Sequence, residues 1–209
     1  MIPRHQTVLF IVLLVASVIM GSVLWHLRER AHQRLLKGED SAPTQAPQVA
    51  PAEQATLMVA NDADNSVLTR ILSLPLPQNP EARARAVLGK LLDLYAAPDA
   101  THPVPGGASS IAQVFLVPLA DAQGKTTQSG PELAVVNLTG AFAANHPSGL
   151  ETETLTVLSI CATLHANLPR VSEVRFLVDG QPRDTLAGHA DLRRTYLAAE
   201  TAPGVAAHP

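Results

Sequence analysis

The sequence predicts an α+β domain. Two helices lie on one face of a two-layer mixed sheet, in the order β-β-α-β-β-α-β, preceded by one N-terminal transmembrane helix. Three observations carry this reading. Apolar residues recur at three- and four-residue spacing in two stretches, around 81–95 and 148–168. Short runs rich in Val, Leu and Ile, bounded by turn residues, lie before, between and after them. From Gln6 to Trp25 the chain runs 20 residues without a charge.

That uncharged run comes first. At about 1.5 Å of rise per residue it crosses a hydrocarbon core of roughly 30 Å. The span is placed at about residues 7–26, with Trp25 where an amphipathic ring prefers the interface. The run is longer than the apolar core of a usual signal peptide. No small-x-small site stands out around Met20-Gly21-Ser22, and no cysteine nearby could take a lipid. The reading is an uncleaved signal anchor. Arg28, Arg30, Arg34 and Lys37 follow the span and only Arg4 precedes it, which by the positive-inside rule would hold the following domain in the cytoplasm. His26 to Lys37 continues as a juxtamembrane helix, so the anchor region is 1–37. Residues 38–55, with prolines at 43, 47 and 51 and almost no large apolar side chain, form an extended spacer. The domain is expected over 56–197 and a disordered tail over 198–209.

Within the domain, Thr56 to Ala60 and Ser66 to Pro75 read as a hairpin around the turn Asn61 to Asn65. That Asx-rich turn could hold calcium, but the full loop pattern, with its Gly and terminal Glu, is missing. Asn79-Pro80-Glu81 opens a helix: Asn caps, Pro takes the first position, and Glu complements the dipole. Val87, Leu88, Leu91, Leu92 and Tyr95 form its apolar stripe. Residues 99–110 are a loop. Ile111 to Leu119 and Leu133 to Leu138 are strands joined by a polar loop, with Ala134, Val136 and Leu138 on one face. Ala141 to Pro147 is irregular. Ser148 and Glu151 fit a capping box for the next helix. Leu150, Thr154, Val157, Leu158, Cys161, Leu164 and Leu168 face its core. Val171 to Asp179 is a strand with Val174, Phe176 and Val178 inward. Asp179-Gly180 makes a turn, and 185–196 adds an edge segment or helical turn.

Aromatics are only 3% of the chain, so the core is aliphatic. Net charge is −3, no half is strongly basic, and no basic face points to nucleic acid. The single cysteine, Cys161, allows no intramolecular disulfide and no CxxC metal site; on the helix stripe it reads as an inert buried thiol. GxSxG, HExxH, P-loop and GxGxxG motifs are absent, so no catalytic, cofactor-binding or metal-ligating residue is assigned and no cofactor is expected. His146 reads as closing the loop before Pro147, and His165 as a packed or capping residue. His189 and Asp191 form a polar corner, a His-Asp pair that could serve as a general base. Asn137-Leu138-Thr139 matches a glycosylation sequon but lies on a strand.

Three segments together resemble one family: Ala134 to Phe142 (AVVNLTGAF), Glu153 to Leu164 (ETLTVLSICATL) and Val171 to Gly180 (VSEVRFLVDG). In this order they are similar to the GerMN domain of bacterial sporulation and spore-germination proteins, over roughly Thr56 to Tyr196. The resemblance implies a domain outside the cytoplasm, on a lipoprotein or behind an anchor. It implies ligand binding or assembly, and no defining catalytic residues. The family also occurs in bacteria that form no spores. On this ground the domain is expected outside the inner membrane, against the charge rule. The expected function is a membrane-anchored, non-catalytic binding or assembly module of the cell envelope. Its expected partners are envelope proteins or a cell-wall ligand, with the membrane contacted through residues 7–26 and self-association open. The alternatives are a membrane-tethered wall hydrolase using His146, His189 and Asp191, and a structural ring subunit. Binding is expected on the loops 99–110 or 121–131, or on an exposed edge.

Overall fold

The computed structural model describes residues 17, 19–23, 51–120, 124–127 and 129–197. The chain divides into two compact units, 1–48 and 49–209. In the first, residues 17 and 19–23 are helical. The expected juxtamembrane helix, the spacer up to residue 50, the tail and most of the expected 7–26 span lie outside the described residues. Among the described residues no helix is long and apolar enough to cross a membrane.

The second unit is a mixed α+β domain with two sheets. A long hairpin opens it: β1 (Ala52–Asn61) pairs antiparallel with β2 (Ser66–Pro75), in register from Ala52 opposite Pro75 to Asn61 opposite Ser66. The strand begins at Ala52 rather than Thr56, because the ladder with β2 extends back to Pro75. Helix α1 (Pro80–Tyr95) starts as its sequence predicts: the Asn79 side chain accepts from the Ala82 N–H at 2.9 Å, and Pro80 is the first residue. All five members of its apolar stripe are buried.

After a short 3-10 turn (Gly107–Ser110), β3 (Ile111–Pro118) and β4 (Glu132–Leu138) pair antiparallel. Then come α2 (Gly140–Asn145), α3 (Leu150–Asn167), β5 (Val171–Val178) and the two-residue β6 (Tyr196–Leu197). The second sheet has the order β3-β4-β5-β6, with β4 and β5 parallel, as a strand–helix–strand crossover requires. Its inward face carries Val114, Ala134, Val136, Leu138, Val174, Phe176 and Val178, all buried.

Four expectations are corrected. The strands do not form one sheet: the hairpin is separate from the four-stranded sheet. It packs against α1 and α3, and those helices also pack against β3 and β5, so α3 is covered from both sides. Residues 140–145 are helical, not irregular, because two side chains supply caps. Thr139 Oγ1 accepts from the Phe142 N–H at 3.3 Å, and Asp179 Oδ1 from the Gly140 N–H at 2.8 Å. The capping box of Ser148 and Glu151 does not form. Gly149 is the N-cap, and the Glu153 carboxylate takes its N–H at 3.3 Å. Leu150, expected in the core, is 65% exposed, since it sits in the first turn beyond the reach of either sheet.

Candidate functional site

The polar residues of the domain sort into three groups, and geometry assigns each. The first lies along α3. Thr156, Ser159, Thr163 and Asn167 recur at three and four residues, so they share one helix face. Three of them are fully buried. This face meets the unpaired edge of β1. Thr163 Oγ1 accepts from the Met58 N–H at 2.9 Å. Asn167 brackets Thr56, accepting from its N–H at 3.0 Å and donating to its carbonyl at 2.6 Å. From α1, the Tyr95 hydroxyl accepts from the Ala60 N–H at 2.9 Å. Burial pushes the Tyr95 hydroxyl up to about 12, so it stays protonated.

The second group surrounds the N-terminal half of α3. Asp62 Oδ1 and His102 Nδ1 are 2.5 Å apart, His102 Nε2 and Thr156 Oγ1 2.7 Å, and Thr156 Oγ1 and His146 Nε2 2.8 Å. His146 Nδ1 lies 2.8 Å from the Pro147 carbonyl. The proton assignment follows from the partners. A carbonyl only accepts, so His146 Nδ1 carries a hydrogen. Desolvation pushes the His146 imidazole below its ordinary range, which keeps it neutral and its Nε2 bare. Thr156 Oγ1 also lies 3.1 Å from the Thr152 carbonyl, so its one hydrogen serves that carbonyl or His146 Nε2, while it accepts from His102. The order acid–imidazole–hydroxyl resembles a nucleophile relay. However, Thr156 and His102 are fully buried, and the hydroxyl is enclosed by a second histidine and the Thr152 carbonyl. No substrate can meet that oxygen.

Glu153, fully buried, is the third centre. Its Oε2 accepts from the backbone N–H groups of Ala187, His189 and Ala190, each at 2.9 Å. Its Oε1 lies 2.9 Å from His189 Nδ1. Desolvation raises its pKa, but these hydrogen bonds outweigh that and pull it down to about 2. The carboxylate thereby ties the 185–191 loop to α3. Ser148 Oγ also faces His189, at 3.5 Å. Serine and glutamate both address Nδ1, whereas a relay needs the two different ring nitrogens.

Of the histidine set considered for hydrolysis, His189 and Asp191 border one recess of about 170 Å³, together with Arg194 and Tyr196. His146 is not among its lining residues. The Asp191 carboxylate is turned to the Arg193 N–H at 2.8 Å. His165 Nδ1 lies 3.0 Å from the Val171 carbonyl and bonds it across the turn after α3. Burial pushes the Cys161 thiol far up, so no thiolate forms. Asn137 Oδ1 accepts from the Gly180 N–H at 2.7 Å. Among the described residues, no group of three or more His, Cys, Asp or Glu could hold a metal. In the β1–β2 turn, Asn61 and Asp64 bond the backbone of Ala63 and Ser66.

A larger concavity lies elsewhere. A groove of about 720 Å³ runs between α1 and β3, with Leu74 and Pro75 of β2 also in its lining. Its helix wall presents Ala82, Ala86 and Gly89, one α1 face of small residues, flanked by Glu81, Arg85, Lys90 and Asp93. Its other wall is the outer edge of β3. No sequence motif marks it, because it arises from an edge strand and a helix that are adjacent only in the fold.

These features define a small α+β domain whose buried polar side chains hold its elements together and whose open feature is a groove beside a sheet edge. A family profile described as sporulation and spore germination, Germane, matches residues 56–184, and the chain belongs to that family. No curated protein matches the chain. Among solved structures, it is similar to the tandem GerMN domains of the sporulation protein GerM from Bacillus subtilis. Identity there is 15% and the TM-score 0.38, covering 68% of this chain and 44% of that one. It is also similar to the first GerMN domain of that protein, at 16% identity and a TM-score of 0.37, covering 67% and 92%. The chain thus spans less than half of the tandem structure.

Proposed function

We propose that the chain is a membrane-tethered, non-catalytic binding or assembly module of the bacterial cell envelope. Residues 7–26 anchor it, the stretch from 38 to the start of β1 spaces it, and the domain from Ala52 stands outside the inner membrane. One observation supports this above the others. The groups that could do chemistry are closed on backbone amides or on one another, while the groove between α1 and β3 is open. Family membership and the uncharged N-terminal run support the same reading. Spore formation is not part of it.

Two experiments test the proposal. Alkaline phosphatase fused after Lys37 is expected to be active; an inactive fusion would overturn export. Full-length protein in detergent is expected not to degrade purified cell wall. Degradation lost on substituting His146, His189 and Asp191 would replace this reading with a hydrolase.

A further inference from the structure

The four-stranded sheet has a second face, and that face is largely apolar. A sheet with one solvated face normally alternates apolar inward and polar outward. Here six outward positions are apolar: Phe115, Val117, Leu133, Val135, Leu177 and Leu197. Phe115, Val117 and Leu197 are 42%, 46% and 45% exposed, and the other three are half-buried. Strand register gathers them into rows. Val117, Leu133, Glu173 and Leu197 lie side by side across the sheet, and Phe115, Val135 and Arg175 form the next row. Apolar side chains scattered singly over a surface need no explanation, but a contiguous patch marks a contact surface.

Two charges interrupt the face, both on β5: Glu173, half-buried, and Arg175, exposed. Neither joins an ion pair among the described residues. An acid and a cation two residues apart on one strand are not matched by a partner of either single sign. They are matched by the same arrangement turned round. A two-fold axis in the plane of contact, crossing β5 at Val174, sets Glu173 of each copy opposite Arg175 of the other. By register the same axis crosses β4 at Ala134 and β3 at Leu116. Leu133 then meets Val135 of the second copy, and Val117 meets its Phe115. Isologous contacts have this form, in which one residue meets another and the relation is returned. Sheets packed face to face run aligned to within about 30° at a spacing of about 10 Å, which paired Glu and Arg side chains span.

We propose that this outer sheet face binds a second copy of the chain, forming a two-fold symmetric dimer. This rests on the reading of a membrane-tethered binding or assembly module and names its partner. Strands about 4.8 Å apart, with outward positions about 6.8 Å apart along each, give a face of about 400 Å² on each copy. Stable specific complexes bury about 800 Å² on each partner. The dimer is therefore weak in free solution, and a tether confining copies to one membrane raises their effective concentration. The apolar rows supply the affinity and the charges set the register. Moving the axis one residue along β5 would set Glu173 on Glu173 or Arg175 on Arg175, which like-charge repulsion opposes.

The test is sedimentation equilibrium of the full chain in density-matched detergent. A reversible monomer–dimer equilibrium is expected, with a Kd on the order of 100 µM. Arg175→Glu or Glu173→Arg alone should weaken it at least about tenfold, because each sets like charges together at two symmetric places. An equimolar mixture of those two variants, and the chain carrying both changes, should each return to within about threefold of the original affinity. Urea unfolding of the variants is expected to be unchanged. A chain still monomeric at about 1 mM would overturn the proposal. So would a dimer indifferent to both reversals, folded variants whose mixture and double form do not recover, or a species larger than a dimer. Dimers that appear only after removal of residues 198–209 would show the chain's own end on this face and overturn it as well. In cells, a photocrosslinking phenylalanine analogue at position 115 is expected to join two copies of the chain; capture of other proteins alone would sink the second copy as occupant. If the dimer fails while cross-linking finds partners on another surface, the binding-module reading survives without it. Wall-degrading activity would remove that reading whatever the dimer does.

Discussion

β1 and β3 are both strands with one side unpaired by another strand, yet their surroundings differ. Along β1, the outward amides at 56, 58 and 60 are each met by a side chain from a helix: Asn167, Thr163 and Tyr95. The next one, Asp62, reaches the Thr101 carbonyl at 3.0 Å. Along β3, one outward amide is touched by one exposed glutamate, and a groove lies beside it. A buried amide without an acceptor costs about 1–3 kcal/mol, so an edge pressed into the interior must be matched group by group. An edge facing solvent has no such requirement, and water serves it until something better arrives. The interior edge is therefore specified by side chains, and the exterior edge is left available.

Glu153 and Glu81 repeat the contrast. Each carboxylate accepts backbone N–H groups. Glu153 is fully buried and gathers three loop amides on one oxygen; Glu81 is exposed and holds one. The comparison sharpens under mutation. Glu153→Ala strands those amides and should cost the most, about 3–5 kcal/mol in urea unfolding at neutral pH. A cost under about 1 kcal/mol would show that the 185–191 loop is held by other contacts.

Acid should act on the same centre. The Glu153 pKa is about 2 against an ordinary 4.5, so its contribution is complete above 4.5 and is lost as pH falls toward 2. At 1.36 kcal/mol per unit that is about 3 kcal/mol. His146, lowered from 6.5, acts in the same direction: its neutral form is favoured in the fold, and stability falls as pH drops below 6.5. Unfolding midpoints at pH 7, 5 and 3 should decline in that order, and Glu153→Gln should flatten the lower half of the curve.

Asn167→Leu comes next, at about 2–3 kcal/mol, because it leaves both the N–H and C=O of Thr56 unmatched against an apolar side chain. Gly180→Val should cost about 1–2 kcal/mol. Gly180 has φ of +75°, strained for a branched residue, but no atom stands within 4 Å of an added Cβ. A larger loss would mean that the Asn137–Gly180 bond is broken as well. Smallest is Glu81→Gln, under about 0.5 kcal/mol, since the edge amide it touches is open to water.

Much of this fold is legible along the chain because it rests on local chemistry. Asn79 and Pro80 start α1, Asn61 to Asn65 turn the hairpin, and Val174, Phe176 and Val178 face inward, all from short-range capping, turn and alternation rules. The chain is less legible where one element's partner is distant. The apolar stripe of α3 is legible in the sequence, whereas the burial of its opposite face depends on β1. A signal was present: α3 has no Lys or Arg, and its acidic residues are confined to the first turn, leaving no charged face for water. The helix of 140–145 has no complete local signal, because its caps include Asp179, which lies 39 residues further on.

The sequence by itself determined the family, the elements and the inward faces of most of them, because caps, turns and hydrophobic period act within a few residues. Tertiary structure alone decided that the hairpin stands apart from the main sheet, that His102, Thr156 and His146 meet, and that β3 keeps an open edge beside α1. Each of these depends on which backbone groups are carried into the interior and which stay at the surface. That is set by packing between segments as much as 111 residues apart, and no local pattern records it.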